Sequence, residues 1–176
     1  MHKKYSDLKI FKLPVENLIE AVRKDNRDGI IDLQPLFLSL TLDIITAFLF
    51  GESVNSLKAS QSVGGDAFAD ALNVAQDYMA KRYRFPSLRW IISGKKFRRA
   101  CHTVHQFASN IIKQKLSEVS QSDRPLDRQS FLALLAEEIS DRDALRGQII
   151  NILVAGRDTT ACLLSWTLFV SPDLIS

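Results

Sequence analysis

The 176-residue sequence has few of the residues that end or cross-link secondary structure: 7 glycines, 5 prolines and 2 cysteines. So few turn formers argue against a many-stranded sandwich or barrel and favour long helices. Cys101 and Cys162 lack the spacing of metal ligands, so neither a disulfide framework nor a metal site is predicted. Disordered and low-complexity classes are excluded, because 46% of the residues are hydrophobic and 24% are charged. A chain of this length is sufficient for one domain with a sizeable core.

Residues 1–12 are polar and basic, without the apolar core that a secretory signal needs. The most apolar window, residues 33–50, would form a helix of about 27 Å, just short of the hydrocarbon core of a bilayer. Asp43 lies near its middle, and a carboxylate there is costly in lipid. We therefore predict a buried core helix rather than a membrane span at this position.

Positive charge is concentrated in residues 81–99, the basic segment. It holds eight lysine and arginine side chains and no acidic one, whereas the rest of the chain has 15 basic and 20 acidic residues. Aromatic and aliphatic side chains lie between these cations, a composition typical of a surface that dips into lipid headgroups. A solvated basic face is the structural alternative, and nucleic-acid binding is disfavoured because no recognised reading motif accompanies the charge. Four side chains are predicted to face a membrane: Arg84, Phe85, Arg89 and Trp90.

Apolar residues recur at helical spacing in six stretches, and no alternating run is long enough to predict a sheet. Asp32 is expected to cap the second helix and Gly51 to end it. Ser140, with Asp143 three residues later, resembles a capping box for the last helix. The expected fold class is all-α. The predicted helices span residues 14–26, 33–50, 66–81, 95–119, 131–139 and 141–169.

The last predicted helix contains an interruption that a purely structural helix would avoid. A glycine inside a helix costs roughly 0.5–1 kcal/mol relative to alanine, and aspartate and threonine compete with the backbone for hydrogen bonds. Close approach of a flat ligand over the glycine, and proton transfer by a hydroxyl beside a carboxylate, are two uses of such a break. The structural alternative is a helix packed tightly at its glycine, with the polar side chains on a solvated face. The apolar run 149–154 is followed by Ala155, Gly156, Arg157, Asp158, Thr159 and Thr160.

Residues 155–160 resemble the (Ala/Gly)-Gly-x-(Asp/Glu)-Thr-(Thr/Ser) signature in the oxygen-binding helix of cytochrome P450 enzymes, the haem-thiolate monooxygenases. Asp32–Phe37, Leu40–Asp43 and Phe50–Val54 are similar to fungal members that hydroxylate fatty acids and alkanes. The resemblance extends to about Phe169. It implies a partial P450 fold, all-α, running from the middle helices through the oxygen-binding helix.

The resemblance also implies roles for the residues of the signature. Gly156 would be the point where the helix lies over the haem, with Ala155 and Thr160 as further cofactor contacts. Asp158 and Thr159 would be the catalytic acid and alcohol, delivering protons in a largely dry pocket while the O–O bond breaks.

Ile152 and Leu153, one turn earlier, would line the substrate side, and ordinary core packing is the alternative for each of them. The complete enzyme implied by the resemblance binds haem and takes an apolar small molecule as substrate. It receives electrons from NADPH through a cytochrome reductase, on the cytoplasmic side of the endoplasmic reticulum membrane.

In the family the haem ligand is a cysteine in a Phe-x-x-Gly-x-Arg-x-Cys-x-Gly loop, and that loop is not found in the sequence. Neither Cys101 nor Cys162 has this context. Glu20 and Arg23 match the family's Glu-x-x-Arg only in spacing, because they precede the oxygen-binding helix. The family's N-terminal membrane anchor is also not found. We therefore expect residues 1–176 to be a single, incomplete P450 domain that binds no haem by itself and, without the anchor, lies in the cytoplasm. The alternatives are a non-catalytic helical remnant and a basic module that binds a membrane surface.

Overall fold

The computed structural model describes residues 9–25, 30–58, 65–121 and 131–171. These residues form seven α-helices and one short 3-10 helix at Pro86–Leu88, with no strand among them, which confirms the predicted all-α class. The helices are α1 (Lys9–Asp25), α2 (Leu33–Phe50), α3 (Gly65–Arg84), α4 (Arg89–Ile92), α5 (Lys95–Gln121), α6 (Phe131–Glu138) and α7 (Arg142–Val170).

The central helix is α2, which packs along α7 and also contacts α1, α5 and α6. Its apolar side chains join those of α3, α5, α6 and α7 in the main core, and a smaller cluster of Phe37, Leu40 and Ala161 lies between α2 and α7. By length and composition alone, α2 is also the one helix in the described ranges that is apolar enough to cross a membrane, and 44% of it is buried. Its central packing agrees with the predicted core helix.

A carboxylate in the middle of α2 is accommodated by the loop that follows the helix. Asp43 is fully buried, and its Oδ1 accepts hydrogen bonds from the backbone amide and the hydroxyl of Ser56 at 2.7 and 2.9 Å. Its Oδ2 accepts from the Leu57 amide at 3.3 Å. Burial raises the pKa of Asp43 above its usual range, against these hydrogen bonds, which favour the ionised form.

The ends of α2 agree with the prediction. The Asp32 carboxylate accepts from the Gln34 amide at 3.1 Å. At the other end Gly51 adopts the left-handed conformation, with φ of 80°, and its amide donates to the Ala47 carbonyl at 2.9 Å. Glycine reaches this region without steric cost, which is why it ends the helix here.

Two predicted helix features are wrong, and one short helix is not predicted. The helix expected from Pro14 begins at Lys9 and contains the proline, whose ring is buried, so packing compensates for the lost N–H. The cap of α7 is Asp141 rather than Ser140, since the Asp141 carboxylate accepts from the amides of residues 143 and 144 at 3.1 and 3.3 Å. α4 was not predicted, because a single helical turn is too short to show a period.

Candidate active site

The signature residues lie in the middle of α7, a helix of 29 residues whose buried side chains recur every four positions. Arg157 continues this stripe, although it is charged, and only 2% of its surface is exposed. The stripe consists of Leu145, Ile149, Leu153, Arg157 and Ala161.

Arg157 connects α7 to α2 and α3. Its Nε donates to the Leu38 carbonyl of α2 at 3.4 Å, and its Nη1 donates to Gln76 Oε1 of α3 at 2.7 Å. Its Nη2 donates to Asn73 Oδ1, also on α3. Burial lowers the pKa of Arg157, and the neighbouring Asp158 carboxylate opposes that effect. The guanidinium therefore fixes the position of α7 against both helices.

Asp158 is half-buried and bonded through both carboxylate oxygens. Its Oδ1 accepts from Arg157 Nη1 at 3.3 Å, and its Oδ2 accepts from Gln76 Nε2. Burial raises the pKa of Asp158, while Arg157 and the Gln76 hydrogen bond act in the opposite direction. The carboxyl group therefore faces α3, and part of the side chain stays open to solvent.

Thr159 lies on a different side of α7. Its side chain is exposed, and the hydroxyl donates to the Ala155 carbonyl at 2.6 Å, within the same helix. Successive residues of an α-helix are about 100° apart around its axis. Ala155 and Thr159 therefore share one side of α7, and Asp158 is rotated by about 100° from Thr159. The side continues towards the end of the helix with large exposed apolar residues, Leu163, Trp166 and Val170. We call this surface the open face of α7.

Gly156 does not point to the open face. A Cβ built on it would lie 2.9 Å from the Cδ1 and 3.1 Å from the Cγ1 of Ile45, so the missing side chain allows α2 to approach α7. This contact matches the alternative of tight helix packing, and it occupies the space that a flat ligand was expected to use. Thr160, one turn further along the same side, is exposed.

The two residues predicted to line the substrate side are in different environments. Leu153 is 3% exposed and belongs to the main core, whereas Ile152 is half-buried and packs against that core. Both positions match ordinary core packing.

The predicted membrane-facing residues lie between the end of α3 and α4. Arg84, Phe85 and Trp90 are exposed, and Trp90 is 78% exposed; the side chain of Arg89 is outside the described part of the structure. The two helices that flank α4 contact each other through Tyr78 of α3, which stacks on Phe97 of α5 with ring centroids 5.7 Å apart.

A cleft of about 440 Å³ lies beside Asp158, between α2, α3 and α7. Its walls include Gln34 and Leu38 of α2, Gln76 of α3 and Cys162 of α7. Side-chain amides, the Asp158 carboxylate and a thiol line the cleft together with apolar atoms, among them those of Leu38 and Ala161. The open face, with its small side chains at 155 and 159 and apolar ones beyond, offers an apolar surface that a flat group such as the haem implied by the resemblance could approach.

The two cysteines lie on different helices and in different environments. Cys101 is half-buried on α5, where burial raises the pKa of its thiol and favours the neutral form. Cys162 is exposed on α7, where it lines the cleft beside Asp158 at the edge of the open face.

Sequence reasoning missed two residues of this site. Arg157 occupies the variable position of the signature, yet its four-residue spacing from Leu153 and Ile149 places it in the buried stripe. Gln76 had no sequence signal, because it lies 82 residues before its partner Asp158.

The family profile of cytochrome P450 matches residues 1–170. A cytochrome P450 of Arthroderma benhamiae is 37% identical, and the match covers 100% of this chain and 36% of the relative. Cytochrome P450 52A5 of Candida maltosa is 40% identical over 96% of this chain and 34% of its own length. Cytochrome P450 52A1 of Candida tropicalis is 37% identical over 93% of this chain and 32% of its own length. The chain spans about a third of the length of the curated relatives it matches. The family match and these fungal relatives confirm the resemblance, and the chain belongs to the cytochrome P450 family.

Proposed function

We propose that this chain is part of a haem-dependent monooxygenase that hydroxylates an apolar molecule, a fatty acid or an alkane, with electrons from NADPH delivered by a cytochrome reductase. The observation that carries the proposal is the α7 signature, in which Asp158 accepts a hydrogen bond from Gln76 and the next residue, Thr159, is exposed. In this proposal residues 1–176 belong to one P450 domain at the cytoplasmic side of the endoplasmic reticulum membrane.

Haem, when bound, supplies the redox chemistry that activates dioxygen. Ala155 and Thr159 would contact it, because their small side chains let a flat group approach the open face. Thr160 is a further contact implied by the resemblance. Gly156 would act indirectly, since its contact with Ile45 holds α7 against α2. Ile152 would form the substrate wall nearest to these residues, and Leu153 would support it from the core.

Asp158 and Thr159 would move protons. Burial raises the pKa of Asp158, so its carboxyl group holds a proton more readily than an exposed aspartate does. The Thr159 Oγ donates to the Ala155 carbonyl and keeps its lone pairs for a second hydrogen bond. Rotation of this hydroxyl would turn its proton from the carbonyl towards the open face, and Asp158 would supply the next proton.

The test is a haem-loaded chimaera in which residues 1–170 replace the matching stretch of the Candida maltosa relative. We expect Thr159→Ala to lower hydroxylated product from a long-chain fatty acid by about a hundredfold, the lower end of what a positioned proton donor contributes. Oxygen would still be consumed and would be released as peroxide. Thr159→Ser should keep most of the parent's ratio of product to NADPH.

The matched control is Thr167→Ala. Thr167 is also exposed on α7, and its hydroxyl also donates to the carbonyl four residues earlier, at 2.8 Å. This variant should behave like the parent. An unchanged ratio of product to NADPH in Thr159→Ala would contradict the role of Thr159. A folded chimaera that binds no haem would favour the non-catalytic helical remnant.

A second proposed function is contact with an anionic membrane through the basic segment. It is supported by the exposure of large apolar side chains among the cations, with Tyr83 at 87% and Phe85 at 50%. Such side chains reach the acyl boundary while lysine and arginine stay at the headgroups. Two of these cations also have partners on the protein: Lys81 pairs with Asp77 at 2.5 Å, and the Arg82 guanidinium lies 5.0 Å from the Phe97 ring centroid.

We expect the chain to bind vesicles that contain phosphatidylserine, and to bind them more weakly as salt is raised. Arg84→Gln should weaken binding by about 1 kcal/mol, or roughly fivefold, and Trp90→Ser should weaken it further. The matched controls are Lys12→Gln and Phe11→Ser, at exposed positions of α1. Equal effects of the α1 variants, or binding that does not depend on salt, would contradict the proposal.

A further inference from the structure

The side chain of Gln76 connects two oppositely charged neighbours on α7. Its Oε1 accepts from Arg157 Nη1 at 2.7 Å, and its Nε2 donates to Asp158 Oδ2. A third hydrogen bond joins the two neighbours directly: Asp158 Oδ1 accepts from the same Arg157 Nη1 at 3.3 Å. The three side chains therefore form a closed ring of hydrogen bonds that joins α3 to α7.

An amide is suited to this position because it offers an acceptor to the cation and a donor to the anion. The direct contact between Arg157 and Asp158 is longer than the bond from Arg157 to Gln76. The Asp158 side chain is 41% exposed, so solvent weakens its attraction to Arg157. The orientation of the acid thus depends strongly on the amide, and Arg157 is itself held by Leu38 and Asn73.

We propose that Gln76 is a positioning residue for Asp158: its amide holds the carboxyl group on the α3 side of α7, turned away from Thr159, and buried Arg157 holds the amide. The catalytic consequence rests on the proposed function, because Asp158 must leave this ring to pass a proton to the open face. The ring itself is a property of the folded chain and does not require haem.

The surroundings of Asp158 contribute few other charges. The cleft that it lines is formed by Gln34 and Leu38 of α2, by Asn73 and Gln76 of α3, and by Ala161 and Cys162 of α7. Arg157 is the charged partner of Asp158, and among these cleft-lining side chains of the described residues Cys162 is the only other titratable one. A change in the titration of Asp158 therefore reports mainly on Gln76 and Arg157.

The test is carbon NMR of the full chain labelled in its aspartate carboxyl groups, with the Asp158 signal assigned by its loss in Asp158→Asn. In Gln76→Leu the carboxylate loses a donor, so we expect its titration midpoint to move to higher pH. Gln76→Glu should move it further, because a second carboxylate then faces the first. Gln76→Met is the alternative if the leucine variant fails to fold, as judged by the dispersion of its amide signals.

A matched control is available on α5. Gln114 Nε2 donates to Glu118 Oε1 at 2.9 Å on the exposed surface, and this bond lowers the pKa of Glu118. Gln114→Leu should therefore raise the midpoint of Glu118, followed with labelled glutamate, and leave Asp158 unchanged. An Asp158 midpoint that stays at the parent's pH in folded Gln76→Leu and Gln76→Glu would overturn the inference.

The outcomes for Gln76 and for the proposed function are separable. The titration midpoint of Asp158 could move in the Gln76 variants of the full chain while Thr159→Ala leaves the ratio of product to NADPH unchanged in the chimaera. In that case the proposed role of Thr159 in a monooxygenase is wrong, and the positioning role of Gln76 is supported. If Asp158 does not respond but Thr159→Ala releases peroxide, the function stands and Gln76 has no positioning role.

Discussion

Asp43 and Arg157 are the two ionisable side chains that the described helices bury, and each is held largely by uncharged groups. Asp43 is bonded by backbone amides and a hydroxyl from the loop after α2, and Arg157 by a carbonyl and two side-chain amides. A buried charge without such partners would cost several kcal/mol, typically about 3 or more. These hydrogen bonds thus keep two polar groups inside a helical core.

The buried carboxylate of Asp43 makes stability depend on pH. Its folded-state pKa is raised, so the folded chain holds this proton more tightly than the unfolded chain does. The stabilisation that this bound proton gives to the folded state is therefore fully present below the pKa of the unfolded chain, near 3.8. It is lost as the pH rises through the higher pKa of Asp43 in the folded chain. We expect Asp43→Asn to remove this part of the slope of unfolding free energy against pH, measured by urea unfolding from acid to neutral pH.

Ser56→Ala should act in the opposite direction. It removes a hydroxyl that donates to Asp43 Oδ1 at 2.9 Å and favours the ionised form, so the loss of stability with rising pH should become larger. A variant Asp43→Asn whose stability changes with pH as the parent's does would show that another group is responsible.

At the scale of elements, Gly156 lies where the Ile45 side chain of α2 packs on α7. We expect Gly156→Ala to give less than the roughly 0.5–1 kcal/mol of stabilisation that helix propensity offers, because the outer atoms of Ile45 must shift to make room for the new Cβ. In an Ile45→Ala background the same change should stabilise by about 0.5–1 kcal/mol, since the space is then free. Urea unfolding of the four chains in this double-mutant cycle measures the coupling.

The same helix offers a control glycine. A Cβ at Gly147 would meet no atom within 4 Å, so Gly147→Ala should stabilise α7 by about 0.5–1 kcal/mol in either background. If Gly156→Ala behaves as Gly147→Ala does in the parent chain, the close approach of α2 does not explain Gly156.

At the scale of the whole molecule, charge and exposed apolar surface are unevenly distributed. The basic segment runs from the last turn of α3 through α4 into the beginning of α5, and it carries eight cations. The rest of the chain has an excess of acidic residues. Such an asymmetry orients a protein on an anionic surface, which is the basis of the vesicle prediction. Exposed apolar residues also occur on the open face of α7 and on α1, and contiguous patches of this kind mark interaction surfaces.

Local signals in the sequence were sufficient for the helical class, for the cap at Asp32 and the end at Gly51, and for the family, because periodicity, capping and the α7 signature each involve residues close in the chain. Tertiary structure alone decided that Gly156 faces Ile45, that Arg157 is bonded to α2 and α3 and that Asp158 is bonded to a glutamine 82 residues away. Those facts depend on which helices pack together and at what rotation, and a spacing pattern within one helix carries no information about the partner that a distant helix places beside it.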